Sequence, residues 1–166
     1  MKIEERLKPL PTSVSHNCFA CSPRNTAGLQ MQFFTDEKAV FSRVTIPAHV
    51  CGWYDVAHGG VISTILDETM GWATMYLLKC ISLTQTLTVD FKKPVSIGTL
   101  MEVESKILEL KGKREAIVDG VLRDTDGKVC AKSMGTFTTF SPAVAKRLKI
   151  ADDHMLEWYH SLFETT

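Results

Sequence analysis

Hydrophobic and polar positions along this chain follow two periods. Between residues 60 and 79 the apolar side chains Val61, Ile62, Ile65, Leu66, Trp72, Met75, Tyr76 and Leu77 cover most of a wheel of 3.6 residues per turn. A helix apolar nearly all round is a buried one. Downstream, Leu83 to Phe91, Leu100 to Leu110, Glu115 to Arg123 and Val129 to Phe140 are rich in Val, Ile, Thr and Phe and predict strands. Pro94 and Gly98, Lys111-Gly112-Lys113 and Asp124-Thr125-Asp126-Gly127 separate them, and Asp126-Gly127 suits a hairpin turn.

Upstream of the helix, Leu29 to Thr35 and Ala39 to Ile46 predict two more strands across an Asp36-Glu37-Lys38 turn. Pro47 to Ala57 reads as a loop. Residues 1–28, rich in turn formers, read as an N-terminal segment with one short helix. Pro142 to Phe163 predicts a C-terminal helix whose apolar face carries Leu148, Met155, Leu156, Trp158, Tyr159 and Leu162. One long helix against an antiparallel sheet is an α+β architecture. The expected organisation is one domain over 1–166: the segment 1–28, a core over 29–140 and an extension over 141–166.

Composition narrows the function classes. Nineteen basic residues balance nineteen acidic ones, so no excess charge points to nucleic acid or a membrane surface. No apolar run approaches bilayer-spanning length and the first residues lack the apolar stretch of a secretory signal, which makes a cytoplasmic protein the expectation. Five cysteines without such a signal imply reduced thiols. Cys18 and Cys21 form a CxxC preceded by His16, but no second ligand pair follows at a usual zinc spacing. They are therefore expected to be ordinary packed or partly exposed thiols, and no metal is expected.

The helix carries the candidate chemistry. Gly60, Thr64, Asp67, Gly71 and Thr74 form a narrow stripe of small or polar residues, and Asp67 is its one charge. A carboxylate two turns into a buried helix is too deep to cap it, and burial is costly unless the acid is paired or used. Two readings stand: a structural acid bonded to a neighbouring Ser or Thr, or a base whose pKa is raised by desolvation. Glu68, about 100° further round, is expected to face solvent or pair with a cation. Gly59 and Gly60 open the helix, where backbone N–H groups and the helix dipole favour negative charge. That is oxyanion-hole chemistry, or else simply a tight turn.

Gly60 and Asp67 lie about 10 Å apart along the helix, too far to serve one reacting carbonyl. Two such helices antiparallel about a twofold would set Gly60 of one chain opposite Asp67 of the other, giving a dimer with composite sites.

The run HGGVISTILDETMGWA, followed by TQTLTVDFKKPVSIGT and AKSMGTFTTF, resembles the hotdog-fold thioesterase superfamily, most of all acyl-CoA thioesterases of the phenylacetate-degradation type. The similarity covers roughly residues 18–140, including CFACSPRNTAGLQMQF. It implies a hotdog fold, an antiparallel sheet wrapped around one central helix, and hydrolysis of acyl-CoA to free acid and coenzyme A.

By position, the resemblance makes Asp67 the general base or nucleophile, and Gly59 and Gly60 the turn that polarises the thioester carbonyl. Thr84 holds the water or the acid from the same chain as Asp67, with Thr86 as a second choice, and His58 orients the turn. Ser63, Lys92, Arg114 and Trp53 are candidate substrate contacts. Lys93 and Lys113 are further candidates for coenzyme A phosphates, or else solvated lysines. Tyr54, Met70, Trp72 and Met75 either line an acyl pocket or belong to the core. Some relatives carry an Asn where this chain has Gly52. No metal or redox cofactor is implied, and coenzyme A belongs to the substrate. The implied assembly is a homodimer, with a dimer of dimers as a further level. Three rivals remain: a non-catalytic acyl-CoA-binding regulator, a structural dimer with a degenerate site, and a hotdog dehydratase, whose Gly-His-Phe-Pro pattern is absent here.

Overall fold

A computed structural model describes residues 7–13 and 16–164. The remaining residues of the expected N-terminal segment and C-terminal extension, 1–6, 14–15 and 165–166, lie outside the described residues.

The chain begins with a short strand, β1 (Lys8–Leu10), followed by β2 (Gln32–Thr35) and β3 (Val40–Thr45). A 3-10 turn at Ala48–Val50 leads into a small hairpin, β4 (Cys51–Trp53) and β5 (Val56–Ala57). The long helix α1 (Gly59–Leu78) follows, then β6 (Ile81–Phe91), β7 (Leu100–Lys111), β8 (Glu115–Arg123) and β9 (Val129–Phe140). Two helices, α2 (Pro142–Arg147) and α3 (Asp153–Glu164), close the chain.

Seven strands form one antiparallel sheet in the order β1-β2-β3-β7-β8-β9-β6. The helix α1 packs on β3, β6, β7, β8 and β9, so the sheet curves around it. Ile65, Leu66, Met70 and Ala73 on its inner side are fully buried against Met101, Val103, Val118 and Leu122 of the sheet. Gly120 and Gly135 permit this close approach. A Cβ on Gly120 would sit 3.1 Å from Met70 Sδ, and one on Gly135 would sit 2.8 Å from Met70 Cε.

Three expectations need correction. The N-terminal segment contributes the strand β1, an element not expected there. Its three residues include Pro9, a combination too short and irregular to leave a periodic signal. The loop 47–57 contains the β4–β5 hairpin. The C-terminal helix is two helices, interrupted after Arg147 where Lys149 takes a positive φ of 58°. The strand β6 also does not pair with its sequence neighbour β7. It crosses to the far side and pairs with β9, so among the described residues its other edge is unpaired along its 11 residues.

The strand β2 also anchors the helix. Phe33 is 1% exposed and stacks on Trp72 with ring centroids 4.3 Å apart and planes 15° from parallel. Phe33→Ala leaves a cavity beneath α1 and is expected to cost about 3–5 kcal/mol. That is a large part of the roughly 5–15 kcal/mol that holds a domain folded. A urea titration checks it: the midpoint falls sharply, and an unshifted midpoint would show that the stack contributes nothing.

Candidate active site

The helix α1 begins with an unusual cap. His58 is in the extended region (φ −62°, ψ 136°), and its Nδ1 accepts the Gly60 N–H at 2.9 Å. Accepting at Nδ1 leaves that nitrogen without a proton, so a neutral ring carries its proton on Nε2. The His58 carbonyl accepts from Val61 and Ile62. Three of the four orphan donors of this terminus are thus engaged, His58 by the Val50 carbonyl and Gly60 and Val61 by His58, while the Gly59 N–H has no hydrogen-bond partner among the described residues. Gly59, exposed at the first helical position, is the donor available to a ligand. The Ser63 and Thr64 hydroxyls turn back onto the Gly59 and Gly60 carbonyls at 3.0 and 2.9 Å.

Two turns on, Asp67 is partly buried and faces β6, where the Thr84 hydroxyl donates to its Oδ1 at 2.7 Å. A register shift between Thr84 and Thr86 marks a bulge at this point of the strand. Burial pushes the Asp67 pKa above the ordinary carboxylate value, and the hydrogen bond from Thr84 opposes that shift. The pair sits on a cavity of about 460 Å³ lined by Gly71, Trp72, Met75, Phe137, Met155 and Trp158 among others.

The two ends of the chain build one wall of this cavity. The Trp158 indole stands edge-on to Trp72 with centroids 5.6 Å apart, and its Nε1 donates to the Pro11 carbonyl at 3.1 Å. The ring of His16 lies edge-on to Trp158 at 6.1 Å.

Glu68 overturns its expectation. Its carboxylate is enclosed beneath the Cys18–Cys21 turn, 3.8 Å from Cys18 Sγ and 3.3 Å from the Trp72 Nε1 that donates to it. No cation pairs with it among the described residues. Burial, then the neighbouring Cys18 charge, pushes its pKa up to about 7. The Cys21 thiol bonded to Cys18 favours the Cys18 thiolate, as do the N–H groups of Cys21 and Ala20, and the same bond together with burial drives the Cys21 pKa upward.

The other sequence candidates are dispersed. Gly59 lines a different cavity from Asp67, about 320 Å³, with Phe91, Lys92, Lys93 and Pro94. Lys92 pairs with Asp90 at 3.0 Å. Lys113 and Arg114 line a third cavity beside Leu78 and Phe140, and Thr86 a fourth beside Asp90 and Lys132. Trp53 and Tyr54 project from the β4–β5 hairpin, 87% and 97% exposed, and do not meet Asp67 within the chain. Met70 belongs to the core, while Trp72 and Met75 line the Asp67 cavity. Cys18, Cys21, Glu68 and the aromatic wall from α3 were missed as neighbours of the acid. The CxxC was the one visible signal among them.

Residues 54–131 match the family model described as the thioesterase superfamily. Over 57 residues the chain is 37% identical to the acyl-coenzyme A thioesterase THEM4 of Xenopus laevis, a match covering 34% of this chain and 25% of that protein. The chain therefore spans only a quarter of this relative's length. Among solved structures, the thioesterase superfamily protein RHA08564 superposes with a TM-score of 0.69 at 24% identity, over 76% of this chain and 62% of that one. The Escherichia coli PaaI protein of the phenylacetic acid degradation operon superposes with a TM-score of 0.61 at 16% identity, over 68% and 81%. With fold and family model in agreement, the chain has the hotdog architecture, and its residues 54–131 are similar to the thioesterase superfamily.

Proposed function

We propose that this chain hydrolyses acyl-CoA thioesters to the free acid and coenzyme A. The observation that carries the reading is the Asp67–Thr84 pair at the edge of an apolar cavity of about 460 Å³, a volume within the usual range for small-molecule sites. The acyl group enters between Trp72, Met75 and Trp158. Thr84 holds the carboxylate in place, and its raised pKa makes it a stronger base toward water.

Asp67 acts either by taking a proton from the attacking water or by attacking the thioester itself to give a mixed anhydride. Single-turnover hydrolysis in ¹⁸O-water separates the routes, since only the second leaves the label in Asp67.

The oxyanion donor is the Gly59 N–H at the positive end of α1, oriented by the His58 cap. It lies eight residues from Asp67, about 12 Å along the helix, and opens on a different cavity. A second copy supplies the missing half. The open edge of β6, with Leu83 47% and Phe91 55% exposed, supports that assembly, because a long unpaired edge strand invites another strand. The opposite edge is blunted by the three-residue β1 and its Pro9. Lys92 and Lys93 line the same cavity as Gly59, which supports a role for them in meeting coenzyme A phosphates.

Release of free thiol from a panel of aliphatic and aromatic acyl-CoAs tests the reading. Saturable turnover of at least one class supports it. Uniform background rates across the panel, with the acyl-CoAs still bound, would replace it with a non-catalytic acyl-CoA-binding protein.

A further inference from the structure

We propose that Cys18, Cys21 and Glu68 form a binding site for a thiophilic divalent cation of the zinc class, beside the Asp67 cavity and separate from the hydrolytic machinery. Their two sulfurs and one carboxylate oxygen lie within 4.8 Å of one another. Tetrahedral zinc, with bonds of about 2.3 Å to sulfur and 2.0 Å to oxygen, sets a sulfur and an oxygen about 3.5 Å apart. Cys18 Sγ and Glu68 Oε1 stand at 3.8 Å, so small side-chain rotations suffice.

The backbone is shaped for thiolates. Residues 18–22 form a tight turn closed by Ser22 N–H on the Cys18 carbonyl at 3.1 Å. The Cys21 N–H points at Cys18 Sγ from 3.4 Å. An amide donor aimed at one sulfur of a CxxC turn stabilises its negative charge, as a metal-bound thiolate requires. Glu68 Oε1 lies against Cys18 Sγ at 3.8 Å and the neutral Trp72 N–H at 3.3 Å. No cationic side chain forms an ion pair with it among the described residues, and a divalent cation supplies that counter-charge. Both cysteines bind as thiolates, their protons leaving to solvent. The cavity side offers the fourth position to water or to His16, which lines the same cavity.

Spacing rules fail here for a physical reason. The third ligand comes from α1, 47 residues beyond Cys21, and only the folded chain brings it under the turn.

The test uses the full chain, stripped with chelator, loaded with Zn²⁺ and dialysed, and it requires no substrate. About one equivalent of retained zinc is expected, as is slowed alkylation of Cys18 and Cys21 but not of Cys51, Cys80 or Cys130, mapped by peptide mass. Co²⁺ in place of Zn²⁺ should give a thiolate-to-metal absorption band. Glu68→Gln should weaken binding at least tenfold, roughly the smallest cost of removing even an outer partner. Cys18→Ser should abolish it. Absence of retained metal overturns the proposal, as does retention undiminished in both variants. A Cys18–Cys21 disulfide that forms in the stripped chain and is not suppressed by zinc also overturns it. If Cys18→Ser does not fold, the wild-type alkylation pattern decides: protection of the pair supports the site and its absence removes it. Failure here leaves the acyl-CoA reading untouched, and loss of that reading leaves this site standing.

Discussion

The Asp67→Asn chain is expected to lose between about 10² and 10⁴ in kcat/KM on acyl-CoA while keeping its fold. Asparagine preserves the shape of the acid, and its side-chain oxygen still accepts from Thr84, so the 2.7 Å contact survives. What disappears is the proton acceptor or nucleophile. Stability should move the opposite way from activity. Burial raises the folded-state pKa of Asp67 above its unfolded value, so at neutral pH the ionised side chain weakens the fold. A neutral amide removes that cost, and Tm should hold or rise. Thiol release and a thermal melt on the same preparation measure both. Undiminished turnover would remove Asp67 from the mechanism, and a lowered Tm would show that its charge is structural.

Gly59→Pro should be nearly as damaging, and for a narrower reason. Gly59 is the first residue of α1, where proline is tolerated because no intrahelical bond needs its N–H. His58 already has the extended conformation that a residue before proline prefers (φ −62°, ψ 136°). A Cβ at Gly59 meets only the Phe91 ring, at an ordinary 3.5 Å. The substitution thus deletes one backbone donor, and loss of an oxyanion donor typically lowers kcat by about 10²–10³. Gly59→Ala keeps the N–H and should stay near wild type.

Mixing the two inactive chains then tests the composite site. In a mixed dimer, Gly59 from the Asp67→Asn chain faces Asp67 from the Gly59→Pro chain. Free exchange should restore about a quarter of wild-type activity, since half the dimers are mixed and each holds one intact site. Both halves acting within one chain would restore none.

The features legible in the sequence were those set by local period. The apolar circumference of α1 and the β-branched runs of β7, β8 and β9 specify helix and strands regardless of neighbours. Strand order is another matter: nothing in Leu83 to Phe91 states that β6 pairs with β9 across the sheet. Short elements such as β1 and the β4–β5 hairpin exist because the rest of the fold holds them in place. Asp67 stood out because an acid on a small-residue stripe breaks the pattern. Glu68 was misjudged because a helical wheel gives an angle about the axis and not what covers that angle. The Cys18–Cys21 turn, brought over the helix from the N-terminal segment, turned an apparently exposed position into an enclosed one.

Acid and wall come from different parts of the chain. Asp67 and Thr84 are fixed by α1 and β6 at the centre of the fold, whereas Met155 and Trp158 reach the cavity from α3, with Pro11 and His16 behind them. On the proposed reading, the part of the acyl gauge supplied by α3 would vary independently of the bond-breaking pair, while Trp72 and Met75 share α1 with the acid. Substitutions in the terminal segments would then offer a route to new substrate ranges that leaves the reaction itself intact.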